Sequence, residues 1–149
     1  MVMGAMNIVR KLSAALVCLI ASGSAFADDI KITDAWAKAP APGQKVVGVY
    51  FTVLSDRGVQ LVKVSSTVAK SAELHESKQV NGMMQMRPVA RMDVPPKHAI
   101  TLAPNGAHVM LFDVTKKIAA GDRIPLTITF EDVNKKKTKV KVKALVKNE

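Results

Sequence analysis

From residue 30 onward the chain alternates between apolar and polar positions. In "LTITF", Leu126, Ile128 and Phe130 fall on one side and Thr127 and Thr129 on the other, the two-residue period of a half-buried strand. Comparable short runs recur along the chain: "IKITDAWAKAP", "KVVGVYFTVLS", "VQLVKVSS", "AELHESKQV", "MMQMRPVARMDV", "HAITLA", "AHVMLFDV", "RIPLTITFED" and "TKVKVKALV". Pro, Gly and Asn punctuate them at roughly ten-residue spacing, which predicts an all-β sandwich or barrel in one domain. Helix is expected nowhere, apart from a turn around "TKKIAAGD". Trp36, Tyr50, Phe51 and Phe112 are assigned to the core. From Thr138 the alternation sets Val140 and Val142 against Lys139, Lys141 and Lys143. That reads as a C-terminal edge strand whose lysines face water and block edge-to-edge pairing.

Residues 1–27 break the pattern. Arg10 and Lys11 precede the apolar stretch "SAALVCLIASGSAFA", which closes on the small-residue motif Ala25-Phe26-Ala27. This is the layout of a cleaved secretory signal, leaving a mature domain over 28–149 in the periplasm. The stretch is too short and too rich in Ser and Gly to span a membrane, so no stable membrane insertion is expected. Lipid attachment through Cys18 is disfavoured, because Val17 stands where such sites want a small residue.

Cys18 is the chain's one cysteine, so the domain after the leader has neither disulfides nor thiolate metal ligands. A blue-copper centre, which needs a cysteine sulfur, is excluded with them. The formal net charge is +10, with much of the excess in "KKKTKVKVK". Nucleic-acid binding fits poorly with secretion and with one Trp and one Tyr. Attraction to an acidic partner or to anionic head groups remains open.

Two Asn-Gly pairs, Asn81-Gly82 and Asn105-Gly106, separate β-type runs and signal hairpins. With Asn81-Gly82 as a two-residue turn, Val80 pairs with Met83, Ser77 with Met86 and His75 with Pro88. His75, Ser77, Met84 and Met86 then share one face, with His75 and Met86 diagonal neighbours ~7–8 Å apart at the backbone. His108 and Met110 share a face of the second hairpin, where Pro104 leaves room for a longer loop. Each hairpin thus offers one imidazole and one thioether. Thioethers are soft and neutral and favour Cu(I) over hard cations or Zn(II). They also survive an oxidising compartment in which thiols become disulfides. Two readings stay open here: a soft-metal site, or methionines as core filler beside structural histidines.

The spacing His75, ten residues, Met86, twenty-one residues, His108, one residue, Met110 resembles the H-x10-M-x21-H-x-M signature of the periplasmic copper(I) chaperones called PCuAC. "ITDAWAKAPAPGQKVVGVYFTV", "AELHE", "MMQMRPV", "HVMLFDV" and "GDRIPLTITFED" are similar to that family's successive segments. The resemblance implies a cupredoxin-like (Greek-key) β-sandwich holding one Cu(I) per chain in a shallow site. The ligands it implies are His75, Met86, His108 and Met110. It further implies delivery of copper for assembly of cytochrome c oxidase copper centres. The acceptor would be an oxidase subunit or another copper chaperone, and the carrier a monomer. The chain ends in "VKALVKNE", so the His- and Met-rich tail that gives some relatives a second site is not expected.

His98 falls outside the signature and is read as a surface residue. Met83 alternates away from Met86 and is expected in the core. Met84 shares the ligand face as an auxiliary candidate, and Met92 is read as packing. Copper buffering or resistance would use the same ligands, and a metal-free protein-interaction domain is the alternative of another class. Enzymatic activity is not expected: "HESKQ" is not H-E-x-x-H, no G-x-S-x-G elbow exists, and the acidic residues are scattered. Copper affinity through imidazole should weaken as pH falls through about 6.5.

Overall fold

The computed structural model describes residues 29–148, so the leader expected over 1–27, with Cys18, lies outside them. The described residues carry ten strands and no helix: β1 Ile30–Lys38, β2 Val47–Ser55, β3 Val59–Ser65, β4 Ala69–Val80, β5 Met83–Pro88, β6 Met92–Val94, β7 Ile100–Thr101, β8 His108–Val114, β9 Arg123–Glu131 and β10 Lys137–Lys147. They follow one hydrogen-bonded path, β5-β4-β8-β2-β1-β10-β9-β3-β6, with β7 added to β2. The path rolls into a cupredoxin-like β-sandwich, the class expected. Strand β1 makes the roll. It pairs antiparallel with β2 over Ile30 to Thr33, then shifts register before Trp36. Asp34, inside that shift, has φ of 53°, a left-handed residue of the kind that bends a bulged strand. Beyond it Trp36 and Ala37 still pair with β2 on one side and join β10 in parallel on the other.

Alternation decides what is inside. Val47, Val49, Phe51 and Val53 of β2 are each no more than 1% exposed, and they meet Leu61, Val109, Leu111, Ile124, Leu126, Ile128 and Phe130. Each such side chain removed from water is worth ~1.5–3 kcal/mol, which fixes the inward face of every strand. Thr129 faces outward yet is only 6% exposed, because β9 lies between β3 and β10.

Four expectations change. Phe51 is core and Tyr50 is buried as expected, but Tyr50 sits on the opposite face of β2, and Trp36 and Phe112 are only half-buried on that same outer side. β10 is an edge only in its lysine-bearing half. At Leu145 it lies between β1 and β9, and Val146 and Lys147 continue beside β1. Met83 is 65% exposed rather than core, because β5 is the terminal strand of the path and no second layer covers its far face. Finally, Asn105-Gly106 does not close a hairpin. β7 and β8 both run antiparallel to the same edge of β2, so they are one strand line interrupted by a loop. Pro104 has no N–H to give a ladder. The loop closes on itself instead, through Gly106 N–H to Ala103 O (2.9 Å) and Ala103 N–H to Ala107 O (3.0 Å).

Candidate metal centre

Asn81 and Gly82 have φ of 50° and 80°, the left-handed pair that a two-residue hairpin turn requires. The turn sets the register Val80↔Met83, Ser77↔Met86 and His75↔Pro88, as the sequence predicts. On its other edge β4 pairs with β8, which brings His75 directly opposite His108 and Glu73 opposite Met110. His75 therefore faces His108 and is one diagonal step from Met86 on β5 and from Met110 on β8. Opposed residues share a face, so all four project from the outer side of the sheet. The imidazole centroids are 5.8 Å apart.

Exposure rises across the group. His108 is 3% exposed, the His75 side chain 15%, and Met86 64%, with Met110 half-buried between them. The gradient follows strand position, since β8 is flanked on both sides and β5 on one. An open hollow of about 520 Å³ is bordered by Gly48, Tyr50, Met86, Pro104, His108 and Met110, among others. His75 does not border it but stands beside it through His108.

Hydrogen bonds orient both rings. His108 Nδ1 lies 2.9 Å from the Gly106 carbonyl oxygen, and His75 Nε2 lies 2.8 Å from Glu73 Oε2. A carbonyl or carboxylate oxygen only accepts, so each of these nitrogens carries the proton. In the neutral rings the lone pairs are then on His108 Nε2 and His75 Nδ1, the nitrogens available to a metal. The same Gly106 carbonyl accepts from Ser77 N–H at 3.4 Å, so the loop between β7 and β8 ties the two histidine strands together. Among the described residues, no three of His, Cys, Asp and Glu gather into a metal cage. The methionines that share this face are Met84 and Met86 on β5 and Met110 on β8.

Aromatic rings back the group. Trp36 stacks on Tyr50 with centroids 4.5 Å apart, Tyr50 lies 6.3 Å from His108, and Phe112 lies 5.9 Å from His75. Gly48, opposite Met110, has no side chain because the Tyr50 phenol occupies that space. Sequence reasoning missed Glu73, Gly48 and Tyr50 as parts of this site. The i, i+2 pairs Glu73/His75 and Gly48/Tyr50 carry a signal for it, since each pair shares a face. The other candidates stand apart: His98 is exposed, Met92 is half-buried against the core, and Met84 is 57% exposed on the same face as Met86.

A family model described as "Putative lipoprotein LpqE-like" matches residues 30–143. The "Putative lipoprotein Lxx21020" of Leifsonia xyli subsp. xyli is 29% identical over 118 residues, 78% of this chain and 71% of its own. A copper-bound PCuAC domain from PmoF2 has a TM-score of 0.65 and 27% identity, covering 81% of this chain and 94% of that one. The solution structure of CuI-DR1885 from Deinococcus radiodurans has a TM-score of 0.51 and 26% identity, covering 85% of each chain.

Proposed function

Because the chain belongs to the LpqE-like family, which is the family of the PCuAC domains, we propose that it is a copper chaperone of the cell envelope. It binds one Cu(I) through His75, Met86, His108 and Met110 and gives it up for assembly of the copper centres of cytochrome c oxidase. The observation that carries this reading is the pairing of His75 with His108, with Met86 and Met110 each one diagonal step from His75. Two neutral imidazoles and two thioethers are a soft set, suited to Cu(I) and poor for Mg(II), Ca(II) or Zn(II). The copper-bound PmoF2 domain and CuI-DR1885 lend support as relatives in similar folds. The leader-like residues 1–27 and the lipoprotein naming of the relatives support export to the periplasm.

The site suits cargo better than catalysis. Its ligands differ widely in accessibility, and the family is one of copper-binding domains rather than a known enzyme class. His108 is anchored in the sheet at 3% exposed, whereas Met86 stands 64% exposed on the edge strand, where an acceptor can reach the copper. X-ray absorption on the Cu(I)-loaded protein tests the set: two sulfur and two nitrogen neighbours are expected. A sulfur-free shell, or Cu(I) affinity unchanged when Met86 and Met110 are both replaced by Ala, overturns it. Delivery is tested in a deletion strain, which should lose oxidase copper and regain it when copper is added. Copper sensitivity with intact oxidase identifies storage instead.

A further inference from the structure

Among the described residues, the large hydrophobic side chains left exposed are Val80, Met83, Met84, Met86 and Val133. Four of these five cluster at the tip of the β4–β5 hairpin. Packing gives no reason for methionine there, since Met83, Met84 and Met86 are 57–65% exposed. Met84 pairs with Gln79 and Met86 with Ser77, while Met83 pairs with Val80 beside the turn. Met84 and Met86 therefore project from one face and Met83 from the other. Two residues along a strand are ~6.8 Å apart, and methionine is unbranched with three free torsions. Both sulfurs can close on one ion above β5.

We propose that Met84 is a relay thioether, a second copper contact outside the four-residue set. Cu(I) leaving His75 and His108 passes to a Met84–Met86 pair at the hairpin tip, where an incoming acceptor takes it. This rests on the Cu(I) reading of the site. In the exchange a Cu–S bond to Met84 forms, the bond to Met86 is kept, and the Cu–N bonds to His75 and His108 and the Cu–S bond to Met110 break. The copper stays Cu(I), and no electron or proton moves. The ordering follows the exposure gradient, from His108 at 3% to Met86 at 64%. Because the resting set is already complete, Met84 adds little to affinity and acts on the rate of transfer.

The test compares wild type with Met84→Leu, Met83→Leu and Met86→Leu, volume-conserving changes at exposed positions that leave folding intact. Cu(I) affinity is measured anaerobically by competition with bathocuproine disulfonate, and transfer by stopped flow into excess of the same chelator. Met84→Leu should keep its affinity within about threefold of wild type and slow transfer about tenfold. Met83→Leu should match wild type in both, and Met86→Leu should lose more than about tenfold in affinity. In spectra of methyl-labelled methionine taken while Cu(I) exchanges between loaded and empty protein, the Met84 methyl should broaden while that of Met83 stays sharp. Transfer at the wild-type rate in Met84→Leu, or a Met84 methyl as sharp as that of Met83, overturns the relay alone. A loss of affinity in Met84→Leu as large as that in Met86→Leu overturns it too, making Met84 a resting ligand. Failure of wild type to bind Cu(I) removes the site and the relay together.

Discussion

Replacing Gly48 by Ala sets two effects of opposite sign against each other. Gly48 lies in β2 without a positive φ. On backbone grounds alone, Ala should gain ~0.5–1 kcal/mol over Gly in a regular element. Against this, a Cβ at Gly48 would stand 2.6 Å from Tyr50 Oη and 3.2 Å from its Cζ. The phenol has little freedom to retreat. Tyr50 is 7% exposed, stacked at 4.5 Å on Trp36 and flanked at 6.3 Å by His108. Overpacking of that kind costs ~1–3 kcal/mol, so the net loss expected is ~1–2 kcal/mol, or a fall in Tm of about 4–8 °C for a domain of this size. The assay is urea and thermal unfolding of Gly48→Ala, Tyr50→Phe and the double variant. Tyr50→Phe carries whatever the hydroxyl itself contributes, so the cycle isolates the clash. Gly48→Ala should cost about 1 kcal/mol less in the Tyr50→Phe background, the remainder reflecting the ring carbon. An Ala that stabilises, or that costs the same in both backgrounds, refutes the reasoning.

Two further outcomes follow from other corners of the fold. Glu131, 7% exposed, accepts hydrogen bonds from Arg91 at 2.9 Å and Lys135 at 3.3 Å, and the Arg91 bond foremost, then that of Lys135, holds its carboxyl below the usual glutamate range. A carboxylate lowered in the folded state contributes stability above its unfolded pKa and loses it as pH falls through the folded one. Glu131→Gln should therefore be less stable than wild type at neutral pH and converge with it in strong acid, as urea titrations across that range would show; parallel profiles count against it. Gly82→Ala meets no atom within 4 Å but must hold φ near 80°, so its cost of ~1–2 kcal/mol is purely backbone strain. That loss should surface as faster amide exchange in β5, with the β9–β10 amides unchanged.

Local rules made the β4–β5 hairpin legible. Asn-Gly fixes a two-residue turn, the turn fixes the register, and the register places His75 one diagonal from Met86. Period-2 alternation likewise put His108 and Met110 on one face. What alternation cannot give is which face is covered, because that depends on strands distant in sequence. Tyr50 and Trp36 are apolar enough for a core, yet the shared row Trp36–Tyr50 lies on the outer side. Met83 looked buried only so long as a second layer was assumed beneath β5. The His75↔His108 pairing joins residues thirty-three apart and has no local signal. Here the fixed spacing of the resemblance reached further than turn chemistry could. The second Asn-Gly misled for a physical reason: Pro104 withholds the N–H a ladder needs, so the chain makes a loop and resumes the same strand line.

The histidines and methionines of the candidate centre project from the side of the sheet opposite Val47, Val49, Leu74, Val109 and Leu111. No core contact waits on an ion, which separates this design from small zinc domains whose folding is driven by the metal. The core is complete from side chains alone, so a bound ion would add only the mass-action stabilisation that any ligand gives. Filling and emptying such a site would ask no refolding of the sheet beneath it.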